Sequence, residues 1–185
     1  MYSIVFKTNL LQPDLILSGT IVELNPQVFQ DNQIKGLILD VDETLVSYQN
    51  HTVSADLQQW IAEVRQMVPI WLVSNNISEG RIGNIARSLE LPYISGARKP
   101  SRRKLRQAAR EMDLPVERVA MIGDRLFTDV LAGNRLGMFT ILVSPMSSLT
   151  SLSHNFSIHN LEAWLSQLLG VSLAATQHNS NKINP

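Results

Sequence analysis

The chain has 185 residues, 44% of them hydrophobic, which is enough to bury the core of a single domain. Sixteen basic residues balance sixteen acidic ones, so global charge argues neither for a nucleic-acid partner nor for an acidic tail. No cysteine is present to form a disulfide or a thiolate metal site, and the apolar stretch 15–22 is interrupted by Ser18, Gly19 and Thr20, far short of the roughly 20 residues of a spanning helix.

The start of the chain lacks a basic region followed by a long apolar run, so a cytoplasmic protein is expected. Asn25-Pro26 reads as the cap and first turn of a short helix, which makes 1–33 a helical extension ahead of the core. Short apolar runs at 36–41, 70–73, 119–122 and 139–143 read as strands buried on both faces. Between the first two, Ser54 caps a predicted helix whose Leu57, Trp60, Ile61 and Val64 recur at helical spacing. Ser78 opens a second helix, with Ile82, Ile85, Ala86 and Leu89 on one stripe. A short strand follows at 93–95, and then a third helix from Ser101, with Leu105, Ala108, Ala109 and Met112 as its apolar face. A last helix of the core runs from Thr128 or Asp129 to Arg135 and stops at Gly137. Trp60, Trp71 and Trp164 are expected in the core, and the four histidines have no ligand-like spacing.

The alternation predicts a doubly wound parallel sheet of the α/β class, with its core at about 34–144. One domain over 1–185 is expected, closed by a Ser-rich loop, an amphipathic helix at 161–169 and a disordered tail from Ala175.

Open parallel sheets bind ligands beyond the carboxyl ends of their strands. The residues at those ends are Asp40, Asp42 and Thr44, then Ser74, Asn75 and Asn76, then Arg98 and Lys99, and finally Gly123, Asp124 and Asp129. Taken singly, such Asp, Asn and Ser residues are ordinary helix caps and turn formers, and Lys99 an ordinary surface charge. Together they gather carboxylates that repel one another unless a cation sits among them, and Mg²⁺ is the natural hard-ligand candidate. Lys99 and Ser74 then suit phosphoryl oxygens bound beside the metal.

The segment Asp40-Val41-Asp42-Glu43-Thr44-Leu45 resembles the first motif of the haloacid dehalogenase (HAD) phosphatases. Gly123-Asp124-Arg125-Leu126-Phe127-Thr128-Asp129 resembles the fourth, with Ser74 and Lys99-Pro100 in order between them at spacings of 34, 25 and 25 residues. The runs Leu72-Val73-Ser74-Asn75-Asn76 and Ala97-Arg98-Lys99-Pro100 bring the chain close to the YqeG family of class IIIA, which is similar to phosphatases of phosphatidylglycerophosphate.

The resemblance implies a Rossmann-like fold and a Mg²⁺ cofactor. It implies Asp40 as nucleophile and Asp42 as general acid and base. Asp40, Asp124 and the Asp42 carbonyl would be metal ligands, Ser74, Asn75 and Lys99 would grip phosphate, and Thr44 and Asp129 would give support. The gaps at 45–53 and 77–98 leave no room for a cap domain, so an open site is expected, which admits a phosphate presented by something large, such as a lipid in a bilayer, a nucleic acid end or a protein; of these the resemblance implies a lipid head group, met peripherally at a membrane surface. A soluble sugar or nucleotide ester, or a non-enzymatic phosphate-binding module, are the competing readings. Arg98, Lys99, Arg102, Arg103, Lys104 and Arg106 place six basic residues among nine positions, either as the solvated face of the third helix or as a rim that holds anionic lipid.

Overall fold

A computed structural model describes residues 9–48 and 52–146, all within one compact unit, Met1–Leu152. The expected helix at 161–169, the tail, Trp164 and all four histidines lie outside the described residues.

The elements run β1 (Leu15–Ile16), α1 (Gln27–Asp31), β2 (Gly36–Leu39), α2 (Ala55–Val64), β3 (Ile70–Val73) and α3 (Glu79–Leu89). They continue with β4 (Tyr93–Ile94), α4 (Arg103–Glu111), β5 (Val119–Gly123), α5 (Leu131–Asn134) and β6 (Phe139–Leu142). All pairings are parallel, in the order β1-β6-β5-β2-β3-β4.

Side chains of a strand alternate between the two faces of a sheet, and here both faces are covered. On β2, Leu37 and Leu39 join the cluster that includes Leu57, Ile61, Ile82 and Ile85 of α2 and α3. Ile38 between them joins Leu105, Ala108 and Ala132 of α4 and α5 on the other face. β5 repeats the pattern, with Ala120 and Ile122 on the first face and Val119 and Met121 on the second. The apolar runs are continuous because neither face meets water.

Helix starts follow the caps only in part. Ser54 accepts a bond from the Leu57 N–H at 3.2 Å, and Asn25 accepts one from the Gln27 N–H at 2.9 Å. α4 does not begin at Ser101: its N-terminal flanking residue is Arg102, with no side-chain cap bond. The last helix of the core starts earlier than expected, because a π-helical turn at Leu126–Val130 precedes α5. Trp60 is buried and donates its indole N–H to the Leu24 carbonyl at 3.0 Å, while Trp71 is only half-buried.

The segment before the core is not purely helical. β1 lies at the edge of the sheet beside β6, where Asp14 Oδ2 accepts from the Thr140 N–H at 2.7 Å. The Thr140 hydroxyl lies within hydrogen-bonding distance of Asp14 Oδ2 and of Asn134 Oδ1. Two residues are too few to show a strand period, and the pairing partner is more than 120 residues away.

Candidate active site

Chain order reverses between β2 and β5. β2 leads to β3 and β4 on one side, while β5, β6 and β1 fill the other. That switch point opens a crevice at the carboxyl ends of β2 and β5, where Asp40 and Asp124 stand. The Asp40 N–H donates to the Ile122 carbonyl at 2.9 Å and so extends the ladder to the first carboxylate. Strand alternation then sends Asp40 and Asp42 to the same side, while Val41 between them is fully buried in the core.

Asp40, Asp124 and Asp129 each offer a carboxylate oxygen, and these oxygens lie within 4.8 Å of one another. Lys99 is buried among them, with Nζ 2.5 Å from Asp40 Oδ1, 2.7 Å from Asp129 Oδ1 and 2.9 Å from the Val73 carbonyl that it bonds. Thr44 donates its hydroxyl to Asp124 Oδ1 at 3.1 Å and lies 3.5 Å from Asp40 Oδ2. Asp129 Oδ2 accepts the Arg125 N–H at 3.2 Å, which leaves Asp129 tied to both Lys99 and the turn after β5.

Burial governs the electrostatics. It raises Asp40 to about 6, with Lys99 opposing the rise and Asp129 adding to it. It raises Asp124 to about 7, reinforced by Asp40 and Asp129 and opposed by Arg125. Burial works against the charge of Lys99, yet Asp129 and Asp40 hold its pKa above the ordinary lysine value. Three carboxylates face one buried ammonium and a half-exposed guanidinium, Arg125, whose Nε is 3.8 Å from Asp124. The set remains negative. Such a set fits a hard divalent cation, which would relieve the repulsion that pushes Asp40 and Asp124 upward.

Asp42 lies outside this cluster. Its Oδ1 accepts from Arg81 Nε at 3.1 Å and from an Arg81 terminal nitrogen at 2.9 Å, and its Oδ2 accepts from the Ser74 hydroxyl at 3.3 Å. Arg81 also reaches the Ser47 carbonyl at 3.3 Å, so it ties the second carboxylate to the loop after β2. The Asn75 carboxamide is engaged at both ends by the Lys99 backbone, accepting its N–H at 2.6 Å and donating to its carbonyl at 3.1 Å. The Asn75 side chain therefore positions Lys99.

Glu43 takes a positive φ of 65° and accepts the Tyr48 N–H at 2.8 Å through its buried side chain, which folds the loop after β2 back on itself. Tyr48 accepts a bond from Arg125 at 3.0 Å. Arg81, Arg125 and the folding role of Glu43 were not legible in the sequence as site features. Arg81 sits 39 residues from Asp42, and only a position in the first turn of a helix facing the carboxyl edge could have marked it.

Residues 1–88 match a family model described as mitochondrial PGP phosphatase, and residues 96–148 match a HAD-hydrolase-like model. The chain is similar to a protein of Bacillus subtilis strain 168 described as probable phosphatase YqeG. The two are 38% identical over 129 residues, covering 69% of this chain and 74% of that protein. A crystal structure of a HAD-family hydrolase from Streptomyces avermitilis shares the fold at TM-score 0.50 and 20% identity, over 63% of this chain and 71% of that one. A 3-deoxy-D-manno-octulosonate 8-phosphate phosphatase structure from Vibrio cholerae does so at TM-score 0.51 and 17% identity, over 71% of this chain and 79% of that one.

Proposed function

The chain belongs to the YqeG-like phosphatases of the HAD hydrolases, and from that premise we propose that it is a Mg²⁺-dependent phosphomonoester hydrolase acting through Asp40 on phosphatidylglycerophosphate. The observation that carries the reading is Lys99, buried between Asp40 and Asp129, two of three carboxylates whose oxygens gather within 4.8 Å of one another.

In the first half-reaction a carboxylate oxygen of Asp40 attacks phosphorus, the ester P–O bond breaks, and the leaving oxygen takes a proton from Asp42. In the second, water attacks the phosphorus of the aspartyl phosphate, gives its proton to Asp42 and releases phosphate with Asp40 restored. Lys99 and the Ser74 hydroxyl hold phosphoryl oxygens, while Thr44 and Asp129 hold Asp124 and Lys99 in place. Asp40, Asp124 and the Asp42 carbonyl would hold Mg²⁺, which supplies charge stabilisation for the transferring phosphoryl group.

The PGP phosphatase match over 1–88 and an uncapped site support the lipid substrate. The segment between β3 and β4 holds a single helix, and no domain is inserted among the described residues after β2. An open site of this kind admits a phosphate presented by something large, in keeping with a cytoplasmic protein that meets a membrane peripherally. No helix among the described residues is long and apolar enough to cross one.

The test is phosphate release from phosphatidylglycerophosphate in detergent micelles, set against a panel of soluble sugar and nucleotide esters. Asp40→Asn is expected to abolish turnover and the acid-stable, hydroxylamine-sensitive phosphoenzyme, because an amide is not a nucleophile of this kind. Turnover retained in the purified variant would remove Asp40 from the mechanism. A soluble ester hydrolysed faster than the lipid would replace the substrate.

A further inference from the structure

Three of the large apolar side chains exposed to water stand at the same edge of the sheet as the carboxylate crevice. Tyr48, 52% exposed, is in the loop after β2; Ile77, 82% exposed, follows β3; Phe127, 49% exposed, follows β5. In a parallel sheet the loops leaving all strands emerge on one side, so these three residues surround the switch point.

Contacts tie the loops of this rim in two pairs. Tyr48 is bonded to Arg125 of the turn after β5. The Ile77 side chain reaches Gly96 of the segment after β4, where an added Cβ would lie 3.6 Å from its Cγ2. None of the three belongs to either hydrophobic cluster of the described residues.

The same edge is cationic. Arg98 is exposed on a turn of positive φ, 55°, and α4 starts on this edge with Arg102 and Arg103 exposed and Arg106 one turn further. Exposed carboxylates at the helix starts of this edge are Asp56 and Glu79. Positive side chains in the first turn of α4 oppose the helix dipole, and no acidic residue or side-chain cap offsets them there. Arg102 has a use in the fold, since it donates to the Arg135 carbonyl at 3.1 Å. Arg103 and Arg106 have no comparable bond among the described residues.

We propose that this rim docks the open site onto an anionic phospholipid surface, with Ile77 and Phe127 entering the interface and Arg98, Arg103 and Arg106 meeting lipid phosphates. An apolar tip flanked by cations fits a surface that is charged at its headgroups and apolar beneath. A soluble ester needs no such rim. The inference rests on, and deepens, the lipid-phosphate reading of the site: the enzyme would take a phosphate standing at the membrane plane without extracting its carrier.

The experiment measures co-sedimentation of the full chain with vesicles of phosphatidylglycerol and phosphatidylcholine, and with phosphatidylcholine alone, at low and high salt. The variants are Ile77→Ser/Phe127→Ser and Arg103→Glu/Arg106→Glu, each checked by thermal melting and by hydrolysis of p-nitrophenyl phosphate. Wild type is expected on anionic vesicles only. Each double variant is expected to lose about tenfold in vesicle binding and in hydrolysis of vesicle-borne phosphatidylglycerophosphate, with p-nitrophenyl phosphate hydrolysis within about twofold of wild type. Salt is expected to weaken wild type and the apolar variant, and to change the charge-reversed variant least.

Variants that sediment like wild type overturn the proposal, as does a wild type that ignores anionic vesicles. Binding to RNA that is insensitive to Ile77 and Phe127, without vesicle binding, overturns it in favour of a polyanion site. Vesicle binding lost in the variants but no lipid hydrolysis in detergent micelles leaves the rim standing and removes the substrate reading instead.

Discussion

Asp40 and Asp42 are two positions apart on one extended segment, yet they have opposite partners. Asp40 is held by the Lys99 ammonium, and Asp42 by a guanidinium and a hydroxyl. The first arrangement sets a buried ammonium against Asp40 inside the carboxylate cluster, where it opposes the rise that burial imposes. The second ties Asp42 to helix α3 and to the end of β3, away from that cluster. Arg81 places two N–H groups on one Asp42 oxygen and a further contact on the Ser47 carbonyl, a geometry that depends on a planar donor array. Lysine cannot reproduce it. Arg81→Lys is therefore expected to lower kcat by about tenfold or more, a part of the roughly 100- to 10,000-fold that a general acid-base group contributes, while the melting temperature changes little. Steady-state kinetics beside thermal melting decide it: an unchanged kcat would make Arg81 a surface tie of the loop and nothing more.

At the scale of elements, the end of β5 controls how close the turn after it can approach. A Cβ on Gly123 would stand 2.5 Å from Asp129 Cγ, closer than any real contact of that kind. The glycine lets Asp129 fold back over the strand end, and that position puts its carboxylate on Lys99. Gly123→Ala must displace a buried, ion-paired residue, so it is expected to cost about 2–4 kcal/mol of stability and to lower activity by disordering Lys99. Denaturant unfolding with parallel kinetics would check both effects. Full activity at reduced stability would show that Asp129 contributes to folding but not to the site. The π-helical turn that carries Asp129 starts at Leu126, ahead of its sequence signal, and the Asp129 carboxylate folds back to accept the N–H of the flanking Arg125.

Across the whole molecule, the carboxylate cluster makes metal-free stability depend on pH in a direction opposite to that of ordinary ion-paired acids. Asp40 at about 6 and Asp124 at about 7 are both above their usual 3.8, so the folded state keeps protons that the unfolded state releases. Their contribution is most favourable below about pH 4 and is lost as pH rises to about 7, after which it is flat. A bound cation would take the place of those protons. In chelator, the melting temperature is therefore expected to fall by a few degrees between pH 5 and pH 8, and Mg²⁺ is expected to restore it, more at pH 8 than at pH 5. Thermal melts over that range, with Asp124→Asn as the flattened reference, test the cluster as a unit. Stabilisation by Mg²⁺ that is equal at both ends of the range would place the ion elsewhere.

Much of this protein is legible in its sequence because the information is local. Continuous runs such as 36–41 and 119–122 announce strands covered on both faces, and stripes such as Leu57, Trp60, Ile61 and Val64 announce the helices that cover them. The switch point then follows from parallel pairing, which is why Asp40, Lys99, Asp124 and Asp129 can be named together from the strand ends alone. Other features depend on contacts between residues far apart in the chain, and no local pattern encodes those. β1 is two residues long and becomes a strand only because Asp14 and Thr140 hold it to β6. Arg81 joins the site only because α3 packs its first turn beside Asp42, and Asn75 meets the Lys99 backbone because the loop after β4 returns to it. The sequence determined the central strands of the sheet, the order of its motifs and its charges; tertiary packing decided the edge strand β1 and which of those charges face one another, because pairing energy depends on distance and burial that only the folded chain supplies.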